Sequence, residues 1–181
     1  MLAFAANSLL CRAALGAQLI DPASFTTIRT LAGAVTLAAL ALPLWRREGL
    51  RASPRGVIAL FCYMACFSFA YVTLGAGTGA LLLFGAVQLT MLAAALRGGE
   101  RFGVSGWLGF AAAIAGLIWL VAPGVAAPEP LGAALMAGAG VAWGVYSLGG
   151  RTSQSPRGAV NAPSPLAATA GNFVYAVIPC A

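Results

Sequence analysis

The sequence has no lysine and no histidine, and its acids number four in 181 positions: Asp21, Glu48, Glu100 and Glu129. Without histidine there is no imidazole base or ligand, and without lysine no Schiff base and no P-loop amine. Hydrolytic triads, histidine zinc sites and Walker-type nucleotide binding each lose a required part. Charge of either sign is scarce, at 8% of residues, against about 25% in a soluble domain. So few polar side chains cannot cover a water-soluble globule of this length. Hydrophobic residues make up 61% even before the 23 glycines are counted, so the surface has to face lipid.

Four cysteines, Cys11, Cys62, Cys66 and Cys180, lie inside apolar segments without CxxC or Cys/His spacing. Cys62 and Cys66 share a helix face, but the further ligands of a metal site are missing. They read as packing residues, and no metal or cofactor is expected. All ten basic residues are arginine and the isoelectric point is near 9.8. A basic chain can signal nucleic acid, but these arginines form short clusters between apolar runs, the arrangement that membrane insertion explains. No nucleic-acid partner is expected; the lipid bilayer is the partner that the composition names.

Apolar runs near the ~20 residues needed to cross a bilayer predict about seven helices, over 1–19, 23–44, 54–74, 76–96, 104–122, 131–149 and from 165 to the end. Strands are excluded because an open sheet leaves backbone groups unpaired in lipid and the runs lack the alternation of a barrel. The connections after the second, fourth and sixth runs hold Arg46, Arg47, Arg51, Arg55, Arg97, Arg101, Arg151 and Arg157. Those after the first, third and fifth hold no arginine, only Asp21 and Glu129. Arginine flanking a span stays in the cytoplasm, which puts the N-terminus there. Trp45 and Trp107 sit at span ends on that same side, as interfacial aromatics do.

Asn7-Ser8-Leu9-Leu10-Cys11-Arg12 resembles Tyr146-Ser147-Leu148-Gly149-Gly150-Arg151, and Pro22, Thr26 and Arg29 line up with Pro165, Thr169 and Asn172. Five spans separate the copies, an odd number, so the second copy enters the membrane from the opposite side, as in inverted-repeat transporters. Residues 1–124 form the first five-helix repeat and 131–181 begin a second, of ten spans in all. Only eleven residues precede Arg12, with no basic leader, and the last run is still apolar at Ile178-Pro179-Cys180-Ala181. The chain is read as a piece of a larger protein.

Ala5-Ala6-Asn7-Ser8-Leu9-Leu10-Cys11-Arg12, Asp21-Pro22-Ala23-Ser24-Phe25 leading to Ile28-Arg29, Gly99-Glu100-Arg101-Phe102, Gly116-Leu117-Ile118 and the stretch from Gly140 to Tyr146 together resemble EamA-type members of the drug/metabolite transporter superfamily. The resemblance covers nearly the whole chain. It implies a ten-helix inner-membrane carrier of two inverted five-helix repeats, an exporter of small metabolites without a cofactor. The chain departs from the pattern by stopping in the seventh helix and by a Ser/Pro-rich segment, Arg151 to Pro165, where the family has a tight turn.

The side chains that could meet a small-molecule solute are few. Arg29 lies seven residues into the second span, ~10 Å deep at 1.5 Å per residue, on an arc with Thr26, Gly33 and Thr36 that points into protein. Either it snorkels towards Asp21 at the interface, or it faces a cavity holding an anionic or zwitterionic solute. Arg12, one turn after Ser8, lies nearer the outer end and suits an interfacial anchor as well as a binding residue. Asn7 lies deeper. Gln88 and Thr90 are ~200° apart on the fourth span, so one of them can face a shared cavity. Trp143 and Tyr146 flank a Gly140/Gly144 seam. Gly109, Ala113 and Gly116 form a second small-residue face suited to close helix packing. Glu100 and Arg101 fall in a turn, where they cap and orient helices.

The expected function is secondary transport by alternating access around a midplane cavity, against two rivals: a shortened, non-transporting fragment of such a carrier, and a membrane-embedded enzyme. An enzyme is disfavoured because no pair of titratable residues lies at membrane depth on adjacent positions.

Overall fold

The computed structural model describes residues 2–121, 128–153 and 164–180. Among these the chain is entirely helical: α1 (Leu2–Gly16), α2 (Pro22–Glu48), α3 (Pro54–Thr73), α4 (Ala76–Arg97), α5 (Val104–Val121), α6 (Pro130–Ser153) and α7 (Pro165–Ala176), followed by a single 3-10 turn, Ile178–Cys180. Helices α2, α3, α4 and the Pro130–Gly150 part of α6 are long and apolar enough to cross a membrane. The 15-residue α1 and 12-residue α7 are shorter than the runs that announce them. Most of the Arg151–Pro165 segment, with Arg157, and the 122–127 connection lie outside the described residues.

Four of the helices start on the same device, a capping oxygen followed by proline. Asp21 Oδ1 accepts from the Ser24 N–H at 2.8 Å, and Ser53 and Ser164 accept through Oγ from Gly56 and Ala167, each at 3.4 Å. Glu129 accepts from the Leu131 and Gly132 N–H groups at 3.0 and 2.6 Å. Pro22, Pro54, Pro130 and Pro165 then occupy the first helical position, where a missing N–H costs nothing and φ is already set. Helix α2 runs four residues past the expected 44, through Arg46 and Arg47, whose charges suit the negative end of its dipole. It ends where Gly49 takes a φ of 77°.

Helix α3 is the centre of the bundle, packed against α6, α2, α7 and α1; α4 packs on α6 and α1, and α2 on α7. Its buried side, with Leu60, Tyr63, Met64, Phe67, Ala70 and Tyr71, meets Cys11 and Leu15 of α1 and Met136 and Ala139 of α6 in one core. The Gly140/Gly144 seam holds α6 against α4. A Cβ on Gly140 would lie 2.5 Å from the Leu83 carbonyl oxygen and 2.6 Å from Ala86 Cβ, and one on Gly144 would lie 2.8 Å from Thr90 Cβ. The Gly109/Ala113/Gly116 face differs from expectation. Nothing lies within 4 Å of where a Cβ on Gly109 or Gly116 would be, and α5 touches the bundle through α4.

Side chains bind α3 at both ends. At its C-terminus Arg12 Nη1 donates to the Tyr71 and Val72 carbonyls at 3.0 and 2.9 Å, and Thr73 Oγ1 donates to Glu129 at 3.3 Å. At its N-terminus the Ser53 N–H donates to Asn172 Oδ1 at 3.0 Å. The same end joins α2 to α7, through Trp45 Nε1 on the Ala167 carbonyl at 3.2 Å and the Ser164 N–H on Glu48 Oε2 at 2.8 Å. This is the end that carries Arg46, Arg47, Arg51 and Arg55.

Candidate functional site

Helix geometry sets Tyr63, Phe67 and Tyr71 of α3 one above the other, four residues apart. Their rings touch in succession, with centroids 5.3 Å apart for Tyr63 and Phe67 and 4.8 Å for Phe67 and Tyr71. Against this column α2 presents Phe25 and, one turn on, Arg29. The Arg29 guanidinium carbon lies 5.0 Å from the Phe67 ring centroid, 5.8 Å from that of Tyr63 and 5.9 Å from that of Phe25. Each ring attracts the cation by ~0.5–2 kcal/mol, more when water is excluded.

Arg29 turns inward rather than towards Asp21, whose carboxylate is occupied in capping α2. Its Nη1 donates to Cys11 Sγ at 3.5 Å. Its Nε and Nη2 are buried and meet no hydrogen-bond partner among the described residues. The arc on which Arg29 sits is buried over only part of its length. Thr26 is buried, and Gly33 lies against the Phe173 ring, but Thr36 is exposed and bonds back to the Ala32 carbonyl. The buried stripe continues instead through Thr30, Ala34 and Ala41.

Four of the six residues singled out in the sequence, Asn7, Arg29, Trp143 and Tyr146, fall along this core. Asn7 accepts from Cys11 Sγ at 3.7 Å and lies against Tyr63. Trp143 and Tyr146 extend the aromatic column from Arg29 towards the arginine-rich end, with centroids 4.9 Å from Tyr63 to Trp143 and 5.5 Å from Trp143 to Tyr146. Tyr146 then lines a cavity of about 650 Å³ with Arg55, Ser147, Thr169 and Asn172. Arg12 is committed elsewhere, at the α3 carbonyls, with its chain folded over Gly16. Gln88 is exposed on α4 and takes no place in the cluster, while Thr90 is the residue of that pair turned to α6.

The sequence reading missed Phe25, Tyr63 and Phe67 as the walls around Arg29, and Cys11 as its neighbour. The spacing was there to see: Phe25 precedes Arg29 by one turn, and Tyr63, Phe67 and Tyr71 repeat at four residues. Aromatic residues at helical spacing are so common in apolar helices that only the partner helix singles these out.

A chain whose described residues are all helical, with several apolar helices of bilayer length and Arg29 turned into the bundle, is a multi-pass membrane protein. The chain belongs to the EamA-like transporter family, whose model matches residues 1–122. It is 53% identical over 179 residues to Uncharacterized protein PA1977 of Pseudomonas aeruginosa, a match that takes in 98% of this chain and 59% of that protein. The chain thus spans about three fifths of the length of that relative. No solved structure matches it.

Proposed function

We propose that the protein is a secondary transporter that carries a small organic solute out of the cell across the inner membrane by alternating access, with its N-terminus in the cytoplasm. The observation that carries this reading is the run from Arg29 through Tyr63, Trp143 and Tyr146 to the cavity at the arginine-rich end. A buried cation in an aromatic wall, joined by rings to an opening on one side, is what a solute path through a helical bundle needs.

Residues 1–124 are read as the first five-helix repeat and 131–181 as the start of an inverted second. Supporting this, α2 and α7 open alike, Asp21-Pro22 and Ser164-Pro165, and pack on each other. In that pairing Arg29 and Asn172 occupy matching positions, and the solute lies between the repeats. Asn7, Arg29, Trp143 and Tyr146 are the contacts proposed for it, with Arg12 as a structural cap and Gln88 outside the path.

Flux tests the proposal. Purified protein in liposomes, supplied with a panel of small metabolites, moves at least one of them down its gradient, and Arg29→Gln slows that flux without lowering the amount of folded protein. Flux that is unchanged in a well-folded Arg29→Gln contradicts the path.

A further inference from the structure

The donors left over on Arg29 narrow the solute further. A guanidinium presents two edges, each with a pair of parallel N–H groups suited to the two oxygens of a carboxylate. Among the described residues the edge formed by Nε and Nη2 is buried and unmatched, while Nη1 is engaged on the Cys11 sulfur. Two buried donors on a cation without an anion are costly to leave unmatched.

No acid of this chain meets them. Asp21 caps α2, Glu48 accepts from the Ser164 N–H, Glu129 caps α6, and Glu100 is exposed in the turn between α4 and α5. Arg12, next in sequence to the Cys11 that Arg29 touches, is spent on the Tyr71 and Val72 carbonyls, so among the described residues the cage holds a single positive charge. One cation among Phe25, Tyr63 and Phe67 matches one negative charge; a second would stand unpaired in apolar surroundings.

We infer that the site takes a monocarboxylate with an apolar body, its carboxylate held side-on by Nε and Nη2 of Arg29 and its apolar part against the Phe25, Tyr63 and Phe67 rings. This rests on the transporter reading above for its purpose, but its test is one of binding alone.

Matched pairs supply that test. Benzoate and hexanoate are titrated into wild-type protein in lipid nanodiscs at neutral pH, beside their neutral isosteres benzamide and hexanamide and the dianion phenyl phosphate, with binding followed by calorimetry. Charge-assisted bonds from one fork favour each carboxylate over its amide by roughly 10- to 150-fold, and phenyl phosphate binds more weakly than benzoate. Arg29→Lys, which keeps the charge but has no planar fork, loses most of the preference.

Equal binding of acid and amide, tighter binding of phenyl phosphate, no binding of either carboxylate, or a full preference surviving in Arg29→Gln overturns the inference. The wild-type comparison stands even where a variant fails to fold. Liposome flux separates this from the transporter reading. Carboxylate preference without flux of any solute removes transport and leaves the site; flux of neutral solutes without carboxylate preference removes the site and leaves transport.

Discussion

The Ser53 N–H donates to the side-chain oxygen of Asn172 across 3.0 Å, so that α7 supplies an N-terminal cap to α3. Gly56, one turn into α3, leaves the space that the Asn172 amide fills. Asn172→Ala strands a donor at a helix start and lowers stability by about 1–3 kcal/mol. Asn172→Asp keeps an acceptor there, with a charge that suits the positive end of α3, and loses less. Thermal unfolding in detergent checks the order; equal losses in the two variants would show that the cap is not what Asn172 contributes.

Arg12 does the corresponding work at the other end of α3. Replacing it with alanine frees the Tyr71 and Val72 carbonyls at a helix C-terminus, where a cation is favoured. Bonds from a charged donor contribute about 1.5–3 kcal/mol, so Arg12→Ala melts at a lower temperature. The preference for carboxylates stays as in wild type, because Arg12 does not reach the Arg29 cage. A changed preference with unchanged melting reverses the roles given to the two arginines.

The helices were legible because bilayer length and proline-led starts are local signals. Asp21-Pro22 and Ser53-Pro54 mark starts without reference to the rest of the chain, and the α2–α3 and α4–α5 turns carry their own arginine and glycine. The inward position of Arg29 was legible from depth and from Thr26 and Gly33 beside it. What surrounds Arg29 was not, because Tyr63 and Phe67 look like any aromatic pair in an apolar helix until α2 is laid against α3. The exposed positions of Thr36 and Gln88 were hidden for the same reason. A polar residue on an apolar helix indicates some special face, but the neighbouring helix decides which one, and α4 turns Thr90 rather than Gln88 towards α6.

The α4–α6 seam gives a graded result. A methyl group on Gly140 runs into the backbone of α4 at the Leu83 carbonyl, which cannot swing away, whereas one on Gly144 meets the Thr90 side chain. Gly140→Ala therefore forces the helices apart and costs about 1–3 kcal/mol, as overpacking does, with Gly144→Ala below it. Gly138→Ala on the same helix meets open space and gains up to about 1 kcal/mol from helix propensity. Melting temperatures in the order Gly138→Ala, wild type, Gly144→Ala, Gly140→Ala are expected. A Gly140→Ala protein as stable as wild type would mean that the seam is looser than its geometry.

Acid should loosen the end of the bundle opposite the arginines. Hydrogen bonds from Ser24 hold the Asp21 carboxyl below its usual range, and those from the Gly132 and Leu131 N–H groups, with Thr73, do the same for Glu129. Both groups bind protons less readily folded than unfolded, so their caps contribute fully above the unfolded values and are lost as pH falls through the lowered folded ones. Stability measured from neutral pH downwards stays level until the ordinary carboxylate range and then declines. Asp21→Asn and Glu129→Gln together flatten that decline; a decline unchanged in the double variant assigns it to other groups.

The same two acids stand on the side that carries no connecting arginine, which fixes the expected orientation. Arg46, Arg47, Arg51 and Arg55 close and follow α2, and Arg97 and Arg101 flank the turn between α4 and α5, while the turns at Asp21 and Gly75 hold none. Retention of arginine in the cytoplasm then places the α2–α3 and α4–α5 turns inside and the α1–α2 and α3–α4 turns outside. Reporter fusions after Arg51 and Gly99 should show cytoplasmic signals, and fusions near Asp21 and Gly77 external ones. Changing Arg46, Arg47, Arg51 and Arg55 to glutamine removes the largest cluster and should yield a mixed population at the Arg51 site, because the remaining bias is smaller. Two reversed fusions in the wild-type protein would place the N-terminus outside, and with it the Tyr146 cavity on the external face.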